Sequence, residues 1–252
     1  MRLKLFFLFI IALNTFDQGV AQVNIKDSTI ALWGIAPQVG VQFPMADMAD
    51  RFGTNAVTGL GIFKKLKSNY IIGLNGDFLF GSEVKEEGLA ANIRTANGEF
   101  LDIDGRIATV LIQERGIEAY LSLGKIFTMN KPNPNSGLLV KLGGGFLLHR
   151  IRFEARENEV AAIEGDNSKG YDRLTSGLVF NQFFGYQFFG NSNRVNFFVG
   201  LEVHEGFTQG RRSYNFDTMS VDDDPRFDML IGLRGGWVLP IYTKAADEYL
   251  LY

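Results

Sequence analysis

From about residue 31 onward the chain repeats one pattern: segments of roughly ten residues that alternate apolar and polar side chains, joined by connections that are alternately short and long. In the clearest of them, Val195, Phe197, Val199, Leu201 and Val203 fall on one face, and Asn196, Gly200, Glu202 and His204 on the other. A period of two is the strand period. Strands of about ten residues with one lipid-like face are long enough to cross a bilayer's hydrocarbon core. Past the N-terminal leader no apolar stretch reaches helical transmembrane length. A membrane span would therefore be built from strands closed into a barrel, in which every backbone group finds a partner.

The spacing predicts eight strands, at about 31–43, 57–66, 69–80, 116–127 (beginning at 116 or earlier), 137–149, 175–189, 194–207 and 227–242. Lys67-Ser68, residues 129–136 and residues 190–193 are short Gly/Pro/Asn/Ser turns. The stretches 44–56, 81–115, 150–174 and 208–226 are longer and charged. Short turns at one end and long loops at the other are the asymmetry of an outer-membrane barrel, with turns in the periplasm and loops outside. The expected fold is thus all-β: an eight-stranded antiparallel up-and-down transmembrane β-barrel with short periplasmic turns and long extracellular loops. Asn97-Gly98 is a hairpin signal inside the second loop, and Ile107 to Ile112 could extend the fourth strand beyond the membrane.

Three segments follow: a secretory leader at 1–21, the barrel at 22–242 and a tail at 243–252. Arg2 and Lys4 precede the apolar run Leu5 to Leu13, and Gly19-Val20-Ala21 supplies small residues before a cleavage point. The chain has no cysteine, which excludes disulfides and lipid attachment through an N-terminal Cys. With 25 basic and 28 acidic residues, it carries no basic footprint for nucleic acid.

Taking the apolar set of each strand as lipid-facing places Trp33, Ile35, Val39, Ile72, Leu74, Phe78, Leu121, Leu123, Phe180, Phe184, Leu233 and Trp237 outside. The other set points inward: Gln38, Asn75, Asp77, Glu118, Tyr120, Lys141, Asn181, Glu202, His204 and Arg234. An eight-stranded barrel is just wide enough for its own side chains. Charges of both signs in so narrow a space are tolerable only when paired. Asp77, Glu118, Lys141, Glu202, His204 and Arg234 are therefore expected to form a structural network rather than a conduction path. His149, at a strand end, is expected to take a structural or surface role.

Asp102-Ile103-Asp104-Gly105 opens like a calcium loop but lacks the rest of the pattern, and Asp222-Asp223-Asp224 is a plain acidic run; both read as solvated turns. Gly143-Gly144-Gly145 lies inside an alternating strand, where it serves bending or close packing rather than phosphate binding. Arg211 and Arg212, beside Tyr214 and Phe216, could hold a lipopolysaccharide phosphate or sugar. Catalysis would need a nucleophile beside a base, and neither histidine has a serine nearby in sequence on the same face. No cofactor is expected. Strand eight ends Gly235-Gly236-Trp237-Val238-Leu239-Pro240-Ile241-Tyr242, resembling the aromatic-ended last strand that barrel-assembly machinery recognises. The tail beyond it reads either as a disordered segment or, because it closes on Tyr-Leu-Leu-Tyr, as one apolar enough to dock on a periplasmic partner or on the barrel mouth.

Residues 22–242 resemble the small outer-membrane β-barrel proteins of the Bacteroidota, in the size class of the OmpA-type transmembrane domain. The marks are Ala49-Asp50-Arg51-Phe52-Gly53, the segment 169–175 (KGYDRLT), and Gly206-Phe207-Thr208-Gln209 with Arg211-Arg212 and Asn215-Phe216-Asp217. The resemblance implies a barrel in the outer membrane and supplies no catalytic residues. Because the class includes accessory subunits of secretion and assembly machines, it implies a structural or interaction role, with lipid, lipopolysaccharide and envelope proteins as partners. A narrow solute channel and a lipid-modifying enzyme are the alternatives.

Overall fold

The computed structural model describes residues 25–129, 132–156, 159–191 and 195–242. The expected leader (1–21) and tail (243–252) lie outside the described residues. Among the described residues there are eleven strands: β1 (Leu32–Ala46), β2 (Asn55–Lys65), β3 (Tyr70–Gly81), β4 (Phe100–Leu101), β5 (Ile107–Ala108), β6 (Val110–Thr128), β7 (Gly137–Ala155), β8 (Thr175–Phe189), β9 (Asn196–Gly210), β10 (Pro225–Trp237) and β11 (Leu239–Tyr242). A five-residue helix, α1 (Asp47–Arg51), follows β1. The large sheet runs β10-β9-β8-β7-β6-β3-β2-β1-β11, and β1 pairs with both β10 and β11. The sheet therefore closes on itself with β10 and β11 as one stave, giving eight staves and no free edge. All barrel pairings are antiparallel, between successive staves and between the first and the last, the up-and-down order.

Two departures from the sequence expectation have local causes. The last strand is split at Val238, whose N–H donates to the Asn196 carbonyl at 2.8 Å. Opposite the split, the β1 register skips Ala36 and Pro37, and proline has no N–H to offer a ladder. In the second long loop, Ile107-Ala108 do not extend the fourth barrel strand; they pair with β4 in a separate two-stranded sheet, and the long strand starts at Val110. The Asn97-Gly98 signal does mark a tight turn, with Gly98 at φ 85° and an Arg94–Phe100 bridge beside it.

Alternation sets the two surfaces. Outward residues such as Val39, Ile72, Leu74, Leu121, Leu123, Phe184 and Leu233 are exposed. On a closed barrel so broad an apolar exterior is the surface a bilayer covers, and the barrel spans a membrane. Trp33, Tyr70, Phe127 and Trp237 ring the short-turn end, where Lys64 lies over Trp33 (5.5 Å) and Lys125 over Tyr70 (4.6 Å). Such pairing suits side chains whose stems lie in lipid and whose heads reach water. Among the described residues no helix is long and apolar enough to cross a membrane.

The glycines explain how a narrow barrel holds large charged groups. Across the ladder, Gly40 faces Arg234, Gly59 faces Asp77, Gly124 faces Lys141, Gly116 faces His149 and Gly232 faces Glu202. A Cβ at Gly59 would sit 1.8 Å from the Asp77 carboxylate. Each of these five inward groups occupies space that its neighbouring strand vacates.

Candidate functional site

The interior is stratified along the barrel axis. At the short-turn end lies an apolar cluster that includes Ile25, Ile30, Ile71, Leu139, Phe183 and Phe198. Ile25 and Ile30 come from the segment before β1, which is folded under the barrel mouth. Asn135 in the β6–β7 turn holds it there: its side chain accepts the Ile30 N–H (2.9 Å) and donates to the Ile25 and Ser28 carbonyls (3.1 and 2.8 Å). Buried Lys65 donates to Asn135 (2.9 Å) and to the Ile30 carbonyl (2.8 Å), and Asn133 donates to the Phe189 carbonyl. The Pro/Asn-rich turn is thus the clamp of a plug, a role that its reading as a simple turn did not contain.

Above this floor is the charged layer. Arg234 Nη1 donates to Asp77 Oδ2 at 2.8 Å and its Nε to Glu202. Gln38 donates to the other Asp77 oxygen (2.9 Å) and Gln42 to the other Glu202 oxygen (2.8 Å). Each ring nitrogen of His204 faces a carboxylate, Nδ1 at 2.8 Å from Glu118 and Nε2 at 3.1 Å from Glu202. Tyr120 meets the His204 ring edge-on. The structure therefore brings Asp77, Glu118, Glu202, His204 and Arg234 into one connected, fully buried set. Lys141, expected in the same network, is placed differently. Its ammonium lies 4.5 Å from the Phe183 ring and 4.9 Å from that of Phe198, and among the described residues no carboxylate is within ion-pair distance of it. A void of about 20 Å³ between Gln38, Phe63, Ser122 and Lys141 separates the charged layer from the floor. That is room for about one water molecule.

The long-loop end is closed too. Met48 of α1 and Phe52 fold into the mouth and pack on Val57, Leu79, Leu147, Val179 and Leu230, with Leu89 of the second loop above them. Within this layer His149 pairs with Asp228 at 2.9 Å, both wholly buried, and Thr208 also donates to Asp228. The reading of His149 as a strand-end residue is corrected, since β7 continues to Ala155 and carries it inside. The hydroxyl here bonds the carboxylate and not the imidazole, and Phe52 covers the ring edge-on at 5.5 Å. It is a buried polar brace.

Beyond the mouth the loops form a core of their own from Ala90, Phe100, Ala108, Val160, Ile163 and Tyr171. Arg173, at φ 48°, is its keystone: it pairs with Glu86 (3.1 Å) and Asp217 (2.7 Å), and Arg51 joins through the same Glu86 (2.8 Å). Phe216 meets Tyr171 edge-on and packs where a Cβ on Gly170 would stand. Asp102 accepts the N–H groups of Asp104 and Arg106, so its carboxylate caps the β4–β5 turn. Arg211 and Arg212 diverge. Arg211 donates to the Ser176 hydroxyl (2.9 Å) and carbonyl (3.0 Å), and Arg212 to both oxygens of Asp172, a bond that pushes the Arg212 pKa further up. Tyr214 remains exposed.

The sequence matches no protein-family model and no curated protein. Among solved structures it is similar to Neisserial surface protein A, at 8% identity and a TM-score of 0.41 over 83% of this chain and 97% of that one. It is also similar to Ail, the attachment invasion locus protein of Yersinia pestis in complex with the heparin analogue sucrose octasulfate (12%, TM-score 0.39, 83% and 99%). A third likeness is to the outer membrane protein OprG from Pseudomonas aeruginosa (10%, TM-score 0.36, 86% and 99%). These are likenesses of architecture.

Proposed function

We propose that the protein is a non-enzymatic, closed outer-membrane barrel that anchors a rigid platform of extracellular loops for an envelope partner. The observation that carries this reading is closure at both ends: the Ile25–Ile30 segment seals one mouth, and Met48 with Phe52 seals the other. Between them the charged layer pairs internally instead of lining a water path. A channel would instead leave charges hydrated along a continuous lumen. The loop core adds a second element, because packed apolar side chains and buried ion pairs fix the outer surface as a solid body. The sequence resemblance to a class with accessory subunits of envelope machines supports the same role. Gentle solubilisation of native membranes followed by affinity capture tests it: recovery in a defined larger assembly supports the anchor, and consistent recovery alone contradicts it.

A further inference from the structure

The rim at the long-loop end is electrically lopsided. On the outward face of β6 and β7, Arg115 stands directly across the ladder from Arg150, and Gln113 across from Arg152. Like charges directly opposite on one face of a sheet destabilise it, so the arrangement asks for an anion. Among the described residues the local carboxylates do not supply enough. Arg115 spends its donors on the Glu114 carbonyl and the Gln113 side chain. Arg152 has Glu154 at 3.3 Å, and Asp172 is taken by Arg212 and lies 3.9 Å from Arg150. Among the described residues three guanidinium groups thus share two carboxylates, Arg115 has none within ion-pair distance, and Arg150 and Arg152 remain half exposed.

The ground below this patch is lipid-facing. Ile117 and Phe146 are exposed beneath it. Arginine forks match phosphate oxygens in pairs, and such charge-assisted bonds are strong at a partly dehydrated boundary.

We propose that Arg115, Arg150 and Arg152, with Arg212 behind them, bind the phosphate of a phosphorylated glycolipid headgroup, whose acyl chains lie on the apolar wall below, over Ile117 and Phe146. This rests on the outer-membrane placement above and adds a specific ligand class to it. The test uses the full chain folded in detergent micelles and titrated with bisphosphorylated lipid A, with its dephosphorylated form, and with inorganic phosphate. Lipid A should bind the native protein at least tenfold more tightly than the dephosphorylated form. The variant Arg150→Gln/Arg152→Gln should lose at least tenfold in affinity, and Arg150→Lys/Arg152→Lys, which keeps the charge but not the paired donors, should fall between it and the native protein. Glu154→Gln should strengthen lipid A binding. Heat-modifiable electrophoretic migration reports barrel integrity for each variant, and the Glu154→Gln gain stands even if the double variant fails to fold. Equal binding of the two lipid forms, unchanged binding by all variants, or saturation by inorganic phosphate with no preference for lipid A would each overturn the proposal. Membrane capture of the protein alone would overturn the anchor reading and leave this result unaffected.

Discussion

Arg234 on β10 and Asp77 on β3 meet at 2.8 Å in the barrel interior although 157 residues separate them in the chain. Strand alternation aims both inward, and the glycines opposite them, Gly40 and Gly59, make the room they occupy. The pair ties opposite walls of the barrel together, and through Glu202 it continues to His204 and Glu118.

Arg234→Met removes the cation from two buried carboxylates and should cost about 3–5 kcal/mol. Adding Asp77→Leu should recover a large part of that loss, because the paired removal leaves fewer buried charges without partners. Urea unfolding in lipid vesicles measures both steps. A double variant as unstable as the single one would contradict the network account.

Asn135→Ala cuts the clamp on the segment under the barrel, with bonds to Ile25, Ser28, Ile30 and Lys65 lost together. The amides of residues 25–31 should then exchange with solvent about tenfold faster or more, and those of β7 should keep their native rates. Hydrogen–deuterium exchange by mass spectrometry reads this directly.

Neighbouring glycines in β7 should respond unequally to substitution. A Cβ on Gly145 would lie 2.0 Å from the Ala119 carbonyl oxygen and 2.5 Å from Tyr120, whereas one on Gly144 meets nothing closer than 3.9 Å. Gly145→Ala should cost about 1–3 kcal/mol in vesicle unfolding, and Gly144→Ala should fall within about 0.5 kcal/mol of native.

Arg173→Ala withdraws the keystone of the loop platform, leaving Asp217 and Glu86 without it. Proteinase K should cut the long loops about tenfold faster in this variant, because local opening becomes easier, while heat-modifiable migration of the barrel stays native. Equal cutting rates would mean that the loops are held by apolar packing alone.

How much of this was legible in the chain follows from what alternation can and cannot say. A period of two assigns faces, so strand number, closure and the apolar exterior were readable; the eighth strand's break at Val238 was not, because it depends on Asn196 and Pro37 from other strands. Alternation also aims Asp77, Glu118, Glu202, His204 and Arg234 into one space, but which of them touch depends on register across eight staves. Lys141 shows the limit: its inward side was legible, yet its place on two phenylalanine rings comes from axial height. The plugs were least legible. Asn135 and Lys65 sit beside turns whose composition says only that the chain reverses, and the segment they hold precedes the first alternating strand. His149 was misplaced because its strand runs past the membrane belt, where basic residues interrupt the apolar face that marks a strand's extent.

The central claim is that the lumen is closed by its own chain. Single-channel recording in planar bilayers tests it most directly, using protein whose folded state is shown by heat-modifiable migration. The account predicts no conductance steps above the bare membrane for the native protein at moderate voltage. Stable, reproducible steps from the intact native barrel would contradict it.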